Sequence, residues 1–579
     1  MSRRHRSSVP PQRPACSRLG DPTRLRANPP GSPASASPWL ALVTVLQLVA
    51  PGFAKGSTAV VPDGYPTVQA AVDSYPDTIL LRAGVYPESV LVLPQFKRVV
   101  LIADPAASPR PILQGLKLWA NHSHDGDIKV VGLRIAGPAV IWSHSVSAHY
   151  DFEACSFDAG LGHGGIWIDY DHAGAGTSLL RCRIRRGVQL TVGDVTMESD
   201  TVEAGGASFL GGYVSVRDTW FRGPAGLGIS NMSPVYYQVV GNRFENCAEG
   251  IHLYDDYNSG FMLVQNNVVR NSQNWGIRID NAEYVDILGN DVRDSGGGIG
   301  ANIRGAPFRV IENTVIGARG TGISLSDDAG GGLGIEVRNN AVLRCGGTGI
   351  VVAGGADPTY SITGNTSAVN EGAGYAMVIS PPYDVPGPFD VSNNAAYGNA
   401  GSGLSWTGPG LPALGCNDWF ANTAGATSGV AAGATDLSVD PQFCDLAGDD
   451  VRPRSNSPLI GGPCGTIGAK GVGCDAAGEV NVSPPYSSRG FAVRVIGSNP
   501  TAGPVAIEYA LPRPAAIELT IHDLMGREVA RLATGVQTEG AHTARWMGDV
   551  RGGPAGTGVY FVRLAWPEGR QTRRILLRR

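Results

Sequence analysis

Gly250-Ile251-His252-Leu253-Tyr254, Gly276-Ile277-Arg278-Ile279-Asp280, Gly322-Ile323-Ser324-Leu325-Ser326 and Gly349-Ile350-Val351-Val352-Ala353 are one phrase repeated four times. Between its copies return Gly241-Asn242-Arg243-Phe244, Asn266-Asn267-Val268-Val269, Gly289-Asn290-Asp291-Val292, Glu312-Asn313-Thr314-Val315 and Asn339-Asn340-Ala341-Val342. The Asn column at 242, 267, 290, 313, 340, 365 and 394 advances by 25, 23, 23, 27, 25 and 29 residues. A period in the twenties to forties signals stacked units that cannot bury a hydrophobic face singly.

Each repeat holds two or three apolar alternations of four or five residues, punctuated by Gly, Asn, Asp and Ser. Alternation at period 2 reads as strand, and the punctuation reads as tight turns, several needing positive φ. No repeat carries a sustained i, i+3, i+4, i+7 stripe, so leucine-rich and ankyrin arrays fit poorly. Three short strands per turn, stacked in parallel and in register, make a right-handed parallel β-helix. Inward-turned Asn side chains at one corner can then hydrogen-bond from rung to rung. On these repeats the chain resembles the parallel β-helix proteins of the pectin-lyase-like superfamily, which include periplasmic copper-processing and carbohydrate-binding members. The resemblance runs from about Val61 to Cys474; it specifies the coil well and the chemistry poorly.

Composition agrees. With 80 Gly and only 17% charged residues, the 579-residue chain suits a turn-dense solenoid, and 42% apolar residues exclude wholesale disorder. A net charge of -4 and a pI near 6.2 argue against a nucleic-acid partner.

Residues 1–38 are rich in Arg, Pro and Ser, and Trp39 to Ala50 is an apolar run too short to span a bilayer comfortably. With the small-x-small site Gly52-Phe53-Ala54, this reads as an export signal cleaved near Ala54, behind a long leader. An uncleaved anchor or an upstream misassigned start are the alternatives. No transmembrane span is expected after signal removal. Four cysteines, Cys416, Cys444, Cys464 and Cys474, cluster in a Gly/Asp/Pro-rich stretch with little core of its own, and read as two disulfides, most simply 416–444 and 464–474. No CxxC pair supports zinc there. Cys247 and Cys345 share one slot but lie four rungs apart, roughly 19 Å at ~4.8 Å per rung, too far to bridge. Cys155 and Cys182 fall on neighbouring rungs and can pair.

In chain order, the expectation is all-β: a leader over 1–54, a β-helix over 55–408, an irregular Cys-containing cap over 409–474, a linker over 475–490 and a small Ig-like β-sandwich over 491–579. A short helix near 65–75, N-capped by Thr67, plugs the first rung. The C-terminal stretch alternates cleanly with a turn about every ten residues. Its phrases Asn499-Pro500, His522-Asp523-Leu524-Met525-Gly526-Arg527-Glu528-Val529 and Gly556-Thr557-Gly558-Val559-Tyr560, and the basic-apolar tail Arg573-Arg574-Ile575-Leu576-Leu577-Arg578-Arg579, resemble flagellar-hook-cap-type Ig-like domains and the sorting domains of type IX secretion. That resemblance implies secretion or surface attachment, with sorting machinery as a partner, rather than chemistry.

If Ile251 and Leu253 and their equivalents point inward, the residues between them form outward columns. The richest stretch places His252 beside Arg278 and Tyr254 beside Asp280. His252, Arg278 and Asp280 are the candidate catalytic residues. Trp167, Asp169, Tyr254 and Asn302 are candidate glycan contacts, and Asp255 with Asp256 is a candidate Ca²⁺ site. A lyase would use His252 or Arg278 as base or carboxylate neutraliser; a hydrolase would need two carboxylates, with Asp255 and Asp280 the one pair on offer. Asp255-Asp256 and Asp327-Asp328 recur at equivalent turns, so turn-capping is the competing account of these acids. No complete lyase or hydrolase motif is present, and Gly300, Ser324 and Ala353 interrupt the column. The leading expectation is therefore a secreted or outer-surface protein binding polysaccharide or cell-envelope glycan, with a lyase or hydrolase as the alternative and Ca²⁺ its one candidate cofactor.

Overall fold

The structure, a computed structural model, describes residues 57–577 except 94–96, 121–125, 144–147, 159–165, 171–175, 192–193, 211, 231–235, 256–259, 304–306, 328–333, 355–358, 381–388, 476–490, 497–504, 525, 551–552 and 568. From Thr58 onward the chain winds into a right-handed parallel β-helix with three faces. The first face is a 16-stranded sheet from Thr58–Val61 to Ala413–Gly415, and a 28-stranded sheet wraps the second and third. A single rung shows the unit: Phe261–Gln265 on the first face, Val268–Arg270 on the second and Trp275–Ala282 on the third. Each strand pairs in parallel with its counterpart one rung on, as in Val264 with Ile287 and Val269 with Val292.

The repeated dipeptides have local causes. The residue before each ladder Asn turns the chain from the first face to the second with positive φ: Gly241 (72°), Asn266 (55°), Gly289 (63°), Glu312 (60°), Asn339 (58°), Gly364 (64°) and Asn393 (56°). Gly and Asn are the residues that enter this region at least cost. The Gly of the Gly-Ile phrase has a different cause. Where the second and third faces meet, a Cβ on Gly276 would lie 2.3 Å from Val292 Cγ1, and one on Gly322 would lie 2.3 Å from Val342 Cγ1. No side chain fits there.

The interior is filled by aligned rows. Ile251, Ile277, Ile299, Ile323 and Ile350 stack with at most 1% exposure, each contributing about 1.5–3 kcal/mol of burial. Beside them runs the Asn ladder. The Nδ2 atoms of Asn242, Asn267, Asn290, Asn313, Asn340, Asn365 and Asn394 each donate to the Oδ1 of the next rung's Asn, ending on Asn417, at 2.9–3.0 Å. The ladder extends both ways with other residues. Thr219 N donates to Asn242 Oδ1 and Cys182 N to Asp200 Oδ1, while Asn417 hands on to Asp436. A second, shorter ladder joins Asn370, Asn399 and Asn422 at the next corner, in the slot that Cys345 occupies one rung earlier.

At the N-terminal end, Val68–Asp73 is a helix whose cap Thr67 accepts from Ala70 N at 3.0 Å. Its buried side chains Val68, Ala71 and Val72 join the core of the first rungs. At the other end the ladder runs beyond residue 408, the boundary expected from the sequence: Ala413–Gly415, Asp418–Phe420 and Thr427–Ser428 each pair with the preceding rung. The segment after it folds back, and Val451 packs with Ile316, Ala341, Leu343 and Ala368 of the second face. All four clustered cysteines are disulfide-bonded, but the pairing corrects the sequence reading: Cys416 joins Cys464, and Cys444 joins Cys474. Neighbours in sequence are not neighbours here, because the folded-back segment brings 464 against the last rungs. Cys155 and Cys182 are buried, unbridged thiols, as are Cys247 and Cys345. Burial lifts the last two to about 11.

The C-terminal stretch is a β-sandwich. A three-stranded antiparallel sheet (Ala492–Ile496, Val505–Leu511, Gly540–Trp546) and a four-stranded one (Glu528–Gln537, Ala515–Asp523, Gly558–Trp566, Gly569–Leu577) share one core around Ile507, Leu519, Ile521, Trp546, Val562 and Ile575. Among the described residues no helix is long and apolar enough to cross a membrane.

Candidate functional site

The third face sets the site. His252 lies opposite Arg278 and Tyr254 opposite Asp280 on adjacent strands, while Gly228 and Ser230 precede them and Gly300 follows Arg278. The inward neighbours Ile251, Leu253, Ile277 and Ile279 are fully buried, which fixes the intervening side chains outward. A bulge then breaks the pairing between Ile279 and Ala282, with Asn281 at φ 59°, so Asn302 sits on the following rung out of direct register with Asp280. Asn302 remains aligned with Ser326.

One carboxylate oxygen gathers the cluster. Asp280 Oδ2 lies 2.9 Å from His252 Nε2 and 2.8 Å from Arg278 Nε. His252 Nδ1 faces Glu249 Oε2 at 3.5 Å. The sequence reading missed Glu249, whose signal was its place three residues before His252. The side chains of His252 and Arg278 are 35% and 44% exposed, and those of Asp280 and Glu249 about half as much. Ion pairs this exposed add at most about 1 kcal/mol each, so stability alone does not account for the grouping. No described residue pairs with the terminal nitrogens of Arg278.

The remaining candidates divide. Trp167 and Asp169 lie on Ile166–Tyr170 of the same face, in register with Gln189 and Thr191; their side chains are outside the described set. They are four rungs from His252, roughly 19 Å, so they do not join the cluster. Asp255 corrects the sequence reading. It is fully buried, its Oδ2 accepts from Gly260 N at 3.2 Å, and its own N donates to Asp280 O. It closes a turn from inside the coil and offers nothing to a ligand outside. The buried Tyr237 hydroxyl, raised first by burial and then by the Asp255 charge, marks the same inward direction, and Tyr360 beside Asp327 repeats it. Asp255 and Asp280 therefore cannot flank a glycosidic bond. Asp256 lies outside the described residues. Among the described residues no three His, Cys, Asp or Glu side chains are grouped as a metal site.

Trp275 was not anticipated. A Cβ built on Gly297 would lie 2.5 Å from Trp275 Cε3, and one on Gly300 would lie 3.0 Å from the same atom. The half-buried indole therefore lies across the backbone of the next rung and covers the column slot that Gly300 leaves vacant. The glycine that interrupts the column in sequence is a seat for a ring in space.

A family model described as "Right handed beta helix region" matches residues 225–380, the stretch holding this cluster. Among curated proteins no sequence matches the chain. Among solved structures, the periplasmic alginate epimerase AlgG is similar at 11% identity over 60% of this chain and 76% of its own, with a TM-score of 0.28. The enzymatically active domain of bacteriophage CBA120 tailspike protein 4 is similar at 11% identity over 84% of this chain and 62% of its own, with a TM-score of 0.17. Likeness at this level says nothing about chemistry. The strand ladder and the family match together make residues 225–380 a right-handed parallel β-helix repeat region.

Proposed function

We propose that the protein is exported or displayed at the cell surface and binds polysaccharide along the third face of its solenoid. The observation that carries this is the Asp280-centred cluster. It sets an acid, a base and a guanidinium side by side and partly exposed on the third face. Hydroxyls and carboxylates of a sugar chain match such a mixed set of donors and acceptors. Two disulfides support passage through an oxidising compartment, and the C-terminal sandwich, resembling sorting and hook-cap-type domains, would direct secretion or attachment.

A second reading, a lyase removing the proton beside a uronate carboxyl, draws on His252 and Arg278 meeting at one carboxylate. Binding without turnover is preferred because both groups are already engaged with Asp280. The test is titration of acidic and neutral polysaccharides into the protein, with absorbance followed for unsaturated sugar ends. Binding that Arg278→Ala weakens, without such ends, is the expected result. Release of unsaturated ends lost in His252→Ala would favour the lyase, and binding to no glycan would sink both.

A further inference from the structure

We propose that Trp275 and Arg278 form a subsite for one uronate residue, the indole carrying the pyranose ring and the guanidinium its carboxylate. This rests on reading the third face as polysaccharide-binding. The ring lies against the backbone of two glycines on the next rung. Gly297 and Gly300 are both buried beneath it; a Cβ on Gly297 would strike the six-membered ring, and one on Gly300 would crowd it at 3.0 Å. The six-membered ring lies against those backbones and the side chain is only partly buried, so ring surface remains for the stacking that sugar C–H groups use. A platform held this way loses little freedom when a ligand arrives.

The guanidinium is placed to match. Gly300 is Arg278's partner on the next rung, so the ring occupies the column one rung spacing, ~4.8 Å, from Arg278. Asp280 holds the Arg278 Nε at 2.8 Å, which orients the guanidinium and leaves its terminal nitrogens to take a carboxylate side-on. Asp280 beside Arg278, with His252 and Glu249 toward the preceding rung, offers further partners to sugar hydroxyls.

The experiment is calorimetric titration of the full-length protein with oligogalacturonate, oligomannuronate and a neutral gluco-oligosaccharide of equal length. Melting curves of every variant are recorded alongside. The protein is expected to prefer a uronate oligomer. Trp275→Ala should weaken it roughly three- to tenfold. Arg278→Ala should weaken it about tenfold or more and erase the preference over the neutral sugar. Gly300→Ala keeps both side chains but displaces the ring on its seat, and should weaken binding about threefold. If Trp275→Ala does not fold, Trp275→Phe and Gly300→Ala carry the test. Unchanged uronate binding in the Trp275 and Gly300 variants, with loss in Arg278→Ala, would overturn the subsite and leave the glycan reading standing. Equal affinity for the neutral oligomer would overturn the uronate assignment. Binding of none of the three would overturn both.

Discussion

Asn313 Oδ1 receives two hydrogen bonds from Asn290, one from its backbone N and one from its Nδ2, both at 2.9 Å and both out of reach of solvent. Removing the acceptor leaves two buried donors without a partner, and Asn313's own Nδ2 no longer serves Ile287 O and Asn340 Oδ1. Asn313→Ala should therefore cost on the order of 3 kcal/mol or more. Asn271 makes a similar rung-to-rung bond to Asn246, but in solvent, and Asn271→Gly, which keeps its positive φ, should cost less than about 1 kcal/mol. Denaturant midpoints of the two variants decide between them; equal losses would show that the ladder's burial is immaterial.

Two carboxyls give the fold a pH dependence. Burial pushes Asp200 and Asp418 up to about 7. A carboxyl raised in the folded state holds its proton there at pH values where the unfolded chain has released it. Stability from this source is thus highest below about pH 4 and declines as pH rises toward 7. Asp200→Asn keeps the acceptor for Cys182 N and should flatten that decline while raising the melting temperature at pH 7. An unchanged slope between pH 4 and 7 would exclude Asp200 as a source.

The glycine corner allows a test by compensation. Gly276→Ala drives a methyl against Val292 Cγ1 and should destabilise by about 1–3 kcal/mol. Adding Val292→Ala opens the space, so the double variant should recover part of the loss despite the cavity the second change makes alone. Strict additivity of the two losses would show that the contact is not the cause.

Peptide mapping under non-reducing conditions should recover the 416–464 and 444–474 linkages and neither sequence-adjacent pair. The first closes a loop of 48 residues, so Cys416→Ser should lower stability by about 4 kcal/mol at most. The effect should fall on the last rungs and the folded-back segment, read by faster amide exchange there than around Ile277.

Much of this was legible because the repeat is a physical constraint at every rung. The Gly-Ile phrase reports a corner too tight for a Cβ, and the dipeptides Gly289-Asn290 and Asn339-Asn340 report a left-handed residue followed by a ladder amide. The same signal, Cys416-Asn417, marked the rung beyond 408, since Cys416 also takes positive φ; its cysteine drew the reading toward a cap instead. What pattern could not give was distance across the coil. The disulfide partners depend on how residues 429–474 fold back, and Asp255 differs from Asp280 only in which way one turn faces. Trp275 was hidden because a ring's seat is supplied by the next repeat, about two dozen residues away in sequence.

The end of the Asn ladder has an electrostatic consequence. Every amide from Asn242 to Asn417 turns its oxygen toward the preceding rung and offers an N–H to the following one. Their dipoles therefore add along the solenoid axis instead of cancelling, leaving positive character at the C-terminal end, as aligned peptides do at a helix N-terminus. Asp436 stands there, its Oδ1 accepting from both nitrogens of Asn417. A carboxylate in that place is a counterion to the positive end of the column, so an acid in an irregular segment closes the last rung by charge as well as by hydrogen bonds.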